Sequence, residues 1–333
     1  MNVIITGGAG FIGSHLAELL NKSKKIKKII IIDNFEDGTF ENLKGIKNSK
    51  KIKIVSEDIL NFKKIVKFFR GIDVVFHLAA LSDIVPSIND PKKYIETNFN
   101  GTLNVLEAIK VHKVKKIIYS ASSSCYGFPK KFPTSENSEL NPKYPYSFSK
   151  LEAERLIIHY SEIFNINFIS LRLFNVFGTR SRTNSSYGAV LGVFLSQKLN
   201  NKPLTIVGDG NQKRDFIYVS DVCDAFFKCI DPKHKNLILN VGTGKPKTVN
   251  ELANLISNKK VFIPKRPGEP DITQADIAKI KNTIKWKPKV EFKDGLEIVF
   301  KNIQYWSNTP VWSPEKIKKT TKNWFKYIGK NVK

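Results

Sequence analysis

The sequence predicts an α/β fold, a doubly wound parallel sheet with a smaller α/β lobe toward the C-terminus. Three observations predict it: short apolar runs alternate with segments of helical period, a glycine-rich turn joins the first strand to the first helix, and the second strand ends on an acid. In such a sheet a ligand lies at the carboxyl ends of the strands.

The first unit is "NVIITGGAGFIGSHLAELL", with a strand at Val3 to Ile5 and a helix whose Phe11, Ile12, Leu16, Leu19 and Leu20 recur at helical spacing. Gly8, Gly10 and Gly13 satisfy GxGxxG, and Gly7, Gly10 and Gly13 the GxxGxxG variant. Glycines there turn the chain tightly, admit a pyrophosphate to the helix N-terminal N–H groups and let the helix lie on the strand. "KKIIIID" then ends at Asp33, about 20 residues past the last glycine, where a carboxylate accepts both ribose hydroxyls of an adenosine. It repels a 2′-phosphate and no arginine follows closely, so the expected cofactor is NAD, not NADP.

"KIKIVSEDIL" is the next strand, ending at Asp58, with Asp58 and Ile59 bracketing the adenine. "GIDVVFHLAA" follows and ends in Ala79 and Ala80, whose small side chains leave space for a cofactor; His77, inside that apolar strand, reads as a packed residue. Residues 94–111 read as one long helix, and "KKIIYSAS" as the strand after it. Pro142 and Pro145 break the chain before "YSFSKLEAERLIIHY", a helix by its apolar spacing, which sets Tyr146 and Lys150 one turn apart on one face. A free phenol, with a pKa of about 10, is a poor base at neutral pH, and a fixed ammonium beside an oxidised nicotinamide favours its ionised form. Ser122, Ser123 and Ser124 close the preceding strand, where a hydroxyl can orient the substrate's alcohol proton.

Composition sets the class. The chain has 333 residues, is 41% hydrophobic, and has no run near the roughly 20 apolar residues of a membrane helix. With a strand starting at the first residues, a soluble, cytoplasmic protein without a signal peptide is expected. Cys125, Cys223 and Cys229 form no CxxC pair and are expected to be reduced, with no metal site. The net charge of +25 is spread as lysine along the whole chain, which reads as a solvated surface rather than a nucleic-acid face, though its field attracts anionic nucleotides.

Through "TGGAGFIGSH", "HLAA", "NFNGT", "SSSCYG", "YSFSK", "LRLFNVFG", "VGDGNQKRDFIYVSDV" and "RPGE", in that order, the chain resembles the extended short-chain dehydrogenases/reductases that act on nucleotide sugars. Nearest among them are the UDP-glucose and UDP-N-acetylglucosamine 4-epimerases. The resemblance implies a Rossmann domain holding NAD with Gly7, Gly10, Phe11, Ile12, Gly13, Asp33, Asn34, Asp58, Ile59, Leu78, Ala79, Ala80 and Asn98, together with Tyr146 and Lys150. It implies oxidation at the sugar C4′, with Tyr146 taking the proton, Ser122 assisting and Lys150 also holding the nicotinamide ribose. Where the 4,6-dehydratases carry an acid pair and the decarboxylating relatives a glutamate, this chain has Ser123 and Ser124, whose hydroxyls are poor acids and bases. That leaves 4-epimerisation ahead of a 4,6-dehydratase or a 4-ketoreductase, and of a non-catalytic nucleotide-sensing or nucleic-acid-associated protein.

The resemblance also assigns the substrate end. Asn175 closes the strand "LRLFN" and meets the diphosphate, Arg214 and Arg266 grip it with planar forks, and Glu269 stands where the family has an aspartate near the ribose. Thr273 stands where epimerases of plain hexoses often have a tyrosine, leaving room for an N-acetyl group at C2 or a carboxylate at C6. The stretch "TRSRTNSSYGAVLGVFLSQKL" begins polar and becomes an amphipathic helix. The dinucleotide domain is expected over residues 1–174, with 214–240 returning to it and 175–333 forming the substrate lobe and basic tail. In that tail Ile317, Trp324, Phe325 and Ile328 fall near one helical face, suiting a helix docked on its own domain or a partner subunit, or one lying on a membrane surface. Homodimerisation through the helices around 94–111 and 146–162 is a further expectation from the family.

Overall fold

The computed structural model describes residues 1–181 and 189–329. Its centre is a parallel sheet of seven strands. In chain order the first six are β1 (Asn2–Thr6), β2 (Lys28–Asp33), β3 (Ile52–Ser56), β4 (Val74–His77), β5 (Lys116–Ser122) and β6 (Asn167–Leu173), and the seventh is Leu237–Val241. Across the sheet the order is Leu237–Val241, β6, β5, β4, β1, β2, β3. The chain therefore winds outward from β1 through β2 to β3, then returns to build β4, β5 and β6 on the other side. The carboxyl ends of β1 and β4 meet at this reversal and open a crevice.

Both faces of the sheet are buried, which the strand residues explain. Val3 and Ile5 of β1, with Ile29 and Ile31 of β2, belong to one apolar cluster. Ile4, Ile30 and Ile32 belong to the other. Because side chains alternate across a strand, continuous isoleucine and valine runs demand helices on both sides. On one side the helices Phe11–Lys22 and Val219–Lys228 pack together; on the other, Gly101–His112 packs with Pro145–Phe164.

Several elements differ in extent from the sequence expectation. β3 stops at Ser56 and β4 at His77, so Asp58 and Leu78 to Ala80 lie in the loops beyond the strands. The helix expected over 94–111 starts at Pro91, where the Asp90 carboxylate accepts the Lys93 N–H at 3.1 Å. It passes through a π-helical turn at Glu96–Asn100 before Gly101–His112. Asn175 opens a strand rather than closing one: Asn175–Phe177 pairs with Phe216–Tyr218, off the main sheet.

The helix Val190–Leu199 is buried from Leu191 to Gln197 and is not amphipathic. Its polar residues are satisfied internally, Ser196 donating to Thr309 and Pro310 carbonyls and Gln197 to Trp312 O and Thr205. Residues 182–188 of the polar stretch before it lie outside the described residues. The tail forms two short helices, Pro314–Thr320 and Lys322–Tyr327, docked on the chain itself. Ile317 and Trp324 are buried and Phe325 is exposed. No helix among the described residues is long and apolar enough to cross a membrane.

Candidate active site

The glycine turn forms a cradle that side chains would fill. Gly7 has φ +71°, and a Cβ there would lie 2.6 Å from Ala79 N; a Cβ on Gly13 would lie 2.1 Å from Gly7 O. Gly10 precedes the helix Phe11–Lys22, whose start no side chain caps, leaving its first N–H groups to an anion. Phe11 and Ile12 pack partly buried against the core. β1 and β4 are stitched at the crevice by Leu78 N–H donating to Thr6 O at 3.1 Å and Ala79 N–H to Thr6 Oγ1 at 3.3 Å, with Ala80 half-buried beside them.

Asp33 is buried at the end of β2. Its Oδ2 accepts the Ala9 N–H at 2.8 Å and its Oδ1 the Phe35 N–H at 2.9 Å. Burial pushes its carboxyl up, with those two N–H groups opposing. Each oxygen keeps a lone pair for a ribose hydroxyl, so the carboxylate, with the glycine cradle beside it, fits NAD. Asn34 donates to Asp58 Oδ2 at 2.9 Å, joining two expected adenosine contacts. The Ile59 side chain is buried against Gly101, where a Cβ would come within 2.5 Å of Ile59 Cδ1.

Asn98 lies on the π-helical turn Glu96–Asn100. It is 1% exposed, accepts the Leu81 N–H at 2.8 Å, and donates to Leu81 O at 3.0 Å and Ser149 Oγ at 2.9 Å. The π turn aims it inward, tying the loop after β4 to the helix Pro145–Phe164. His77 is packed as expected, between the Thr6 and Thr102 hydroxyls at 2.7 and 2.8 Å; burial first, then Lys150, holds it neutral with a pKa of about 3.

Ser122, Tyr146 and Lys150 converge at the carboxyl end of β5. Ser122 caps the turn Ser123–Tyr126, its oxygen accepting the Ser124 N–H at 3.2 Å and lying 2.8 Å from Ser124 Oγ. Pro145 opens the helix, and Ser147 Oγ accepts the Tyr144 N–H at 3.0 Å, fixing the first turn that carries Tyr146. Burial pushes the Tyr146 phenol up, a hydrogen bond with Ser122 draws it down, and the Asp83 charge raises it further. Lys150 is 4% exposed; burial lowers its pKa to about 7, against the attraction of Glu154.

The substrate-end residues fall into two linked groups. Glu269 bridges the arginines, accepting from Arg214 Nη2 at 3.1 Å and from Arg266 Nε at 3.0 Å and Nη2 at 3.3 Å. Burial pushes the Glu269 carboxyl up, but Arg266 and Arg214 outweigh it and hold it below the usual range. Glu269 thus clamps the two guanidiniums together. Thr273 Oγ1 donates to Asn175 Oδ1 at 3.0 Å and accepts the Asp215 N–H at 3.2 Å. Tyr144, two residues before Tyr146, donates its hydroxyl to Gly268 O, joining the Ser122–Tyr146–Lys150 end to the arginine loop.

Two supporting groups escaped the sequence reading. Arg172 and Glu154 form an ion pair at 2.6 Å with both side chains 3% exposed or less, holding the Lys150 helix to β6. An arginine within the apolar run "ISLRLF" was its signal, since such a cation needs a buried carboxylate. Asp215 accepts the Thr243, Gly244 and Ala275 N–H groups at 2.8, 2.9 and 2.9 Å, shaping the loops beside Arg214. Among the described residues no group of three or more His, Cys, Asp or Glu could hold a metal, and all three cysteines are free and buried.

A family model described as the NAD dependent epimerase/dehydratase family matches residues 3–242. A relative from Methanocaldococcus jannaschii, named a putative UDP-glucose 4-epimerase, is 34% identical over 305 residues, covering 89% of this chain and 96% of the relative. The UDP-N-acetylglucosamine 4-epimerase of Methanobrevibacter ruminantium M1, solved with UDP-N-acetylmuramic acid, is 34% identical with a TM-score of 0.84, covering 90% of this chain and 98% of that one. The UDP-glucuronic acid 4-epimerase of Bacillus cereus, solved with UDP-glucuronic acid and NAD, is 33% identical with a TM-score of 0.85, covering 91% and 99%. With the glycine cradle, the acid ending β2 and the seven-stranded sheet, these matches establish that the chain belongs to the NAD-dependent epimerase/dehydratase family.

Proposed function

We propose that the chain is an NAD-dependent isomerase that interconverts UDP-sugars at C4′. The observation that carries this reading is the convergence of Ser122, Tyr146 and Lys150 at the end of β5, with Ser123 and Ser124 where an eliminating relative needs an acid pair. The Gly7–Gly13 cradle and Asp33 would hold NAD, which would supply a reversible hydride acceptor for C4′.

This chain's own residues manage the proton and the geometry. Tyr146 Oη receives the C4′ hydroxyl proton and later gives it back, and Ser122 orients that hydroxyl. Lys150, when charged, stabilises the ionised phenol one helical turn away. Arg214 and Arg266 exchange Glu269 for the substrate diphosphate, so the nucleotide stays anchored while the keto sugar turns to present its other face. The serine hydroxyls neither deprotonate C5′ nor protonate a departing hydroxide efficiently, which keeps water elimination out of competition. The small Thr273 suits N-acetylated or uronate sugars as well as plain hexoses.

The same reading makes the protein a cytoplasmic homodimer without nucleic-acid partners, its NAD domain at 1–174 with 214–240 and its substrate lobe at 175–333. Val111, Phe148, Ile163 and Phe164, exposed on the helices Gly101–His112 and Pro145–Phe164, support the dimer.

Proton NMR of the purified protein with UDP-glucose, UDP-N-acetylglucosamine and UDP-glucuronate, each without and then with added NAD, tests the activity. A C4′ epimer's anomeric signal is expected, and Tyr146→Phe should slow its formation by about 10²-fold or more. A 4-keto-6-deoxy product, silence with every sugar, or an unchanged rate in Tyr146→Phe would overturn the reading.

A further inference from the structure

The two tail helices lie beyond the region the family model covers. Thr321 joins them, its hydroxyl donating back to Ile317 O at 2.8 Å, and this turn swings Trp324 away from solvent. The tryptophan lands on the arginine end of the cleft. Its Nε1–H donates to Pro267 O at 2.6 Å, its ring centroid is 4.9 Å from that of Tyr144, and the Arg266 guanidinium carbon lies 5.4 Å from it. The adjacent Asn323 reaches the other wall, donating to Asn89 Oδ1 at 3.0 Å on the helix Ile84–Asn89 that follows the β4 loop. The last helix therefore spans from the dinucleotide side to the loop that carries Arg266.

Consecutive residues of that loop are held by different parts of the chain. Trp324 holds Pro267, Tyr144 holds Gly268, and Arg214 holds Glu269. Arg266 itself lies between the Glu269 carboxylate and the indole. An anion that takes the place of Glu269 removes the carboxylate contacts but leaves the indole, so Trp324 keeps the guanidinium pre-organised when it is needed.

We propose that Trp324 is a positioning residue for the substrate diphosphate, acting through Arg266. That the anion is a nucleotide diphosphate rests on the epimerase reading; the clamp does not. Tyr146 keeps its place through Pro145 and Ser147, so the effect falls on binding rather than on the chemical step.

The test compares holoenzyme of wild type, Trp324→Ala, Trp324→Phe and Asn323→Ala by steady-state kinetics and by calorimetric titration with UDP, uridine and inorganic pyrophosphate. Trp324→Ala should weaken UDP and pyrophosphate binding about tenfold, the scale of a partly desolvated cation–π contact, with uridine unchanged. KM should rise to match while kcat stays within about twofold. Trp324→Phe, keeping a ring face without the N–H, should fall between and decides the question if the alanine variant does not fold. Asn323→Ala, which cuts the other anchor, should bind both anions like wild type. Undiminished pyrophosphate binding in Trp324→Ala, an equal loss for uridine, or a wild type that ignores both anions would overturn the proposal. Pyrophosphate binding that depends on Trp324 in a protein that turns over no sugar nucleotide would support it while removing the epimerase reading.

Discussion

The Lys150 ammonium nitrogen lies 4.2 Å from the centroid of the Tyr119 ring, whose hydroxyl donates to Lys150 O at 3.3 Å. The lysine is enclosed, its head against an aromatic face, and burial outweighs Glu154 to bring its pKa to about 7. An unfolded lysine titrates near 10.4. Between those values the unfolded chain holds a proton that the folded chain does not, so the cost of burying Lys150 is full below about pH 7 and fades as pH rises toward 10.

Lys150→Met should therefore stabilise the protein near pH 6 to 7, by on the order of a few kcal/mol, while abolishing turnover. Urea denaturation at pH 6, 7.5 and 9 checks this. The gap between variant and wild type should narrow with rising pH; a gap that stays constant, or a variant less stable at pH 6, would show that Lys150 is not a destabilising buried cation. The opposition of stability and activity at one residue is what a site built for proton transfer shows.

Glu154 lies one turn past Lys150 and makes the buried pair with Arg172, whose Nη1 also donates to Tyr126 Oη at 3.0 Å. Glu154→Gln leaves that guanidinium uncompensated and should cost about 3–5 kcal/mol. A double variant, Glu154→Met with Arg172→Met, should recover much of the loss, because both desolvation costs disappear together. Equal destabilisation by the single and double variants, measured by urea denaturation, would mean that packing and not charge sets the cost.

What the sequence made legible was local. The glycine turn, Asp33 after it, and Tyr146 with Lys150 one turn apart are set by spacing along single elements, and each stands in the element its period implies. The partners of buried polar groups were not legible, because topology chooses them: Asp215 is satisfied by Thr243, Gly244 and Ala275, and Arg172 by a glutamate 18 residues away on another element. The tail shows the same limit. Helical period grouped Trp324 with Phe325, but the break at Thr321 and the pull of Pro267 and Tyr144 bury one and leave the other exposed.

Thr273 combines both kinds of information. Its small size suggests room for a substituted sugar, yet its hydroxyl is bonded to Asn175 and to Asp215 N–H. Thr273→Tyr therefore adds bulk and removes two hydrogen bonds at once, while Thr273→Val removes the bonds and nearly keeps the volume. If space sets the sugar range, Thr273→Tyr should lower kcat/KM for UDP-N-acetylglucosamine relative to UDP-glucose by about tenfold or more, the scale at which a pocket discriminates on size. Thr273→Val should lower both sugars alike, by the few-fold expected for losing bonds worth about 1 kcal/mol each. Competition assays with the two sugars mixed give the ratio directly. An unchanged ratio in Thr273→Tyr would remove the steric account, and the same shift in Thr273→Val would move the cause to the Asn175 hydrogen bond.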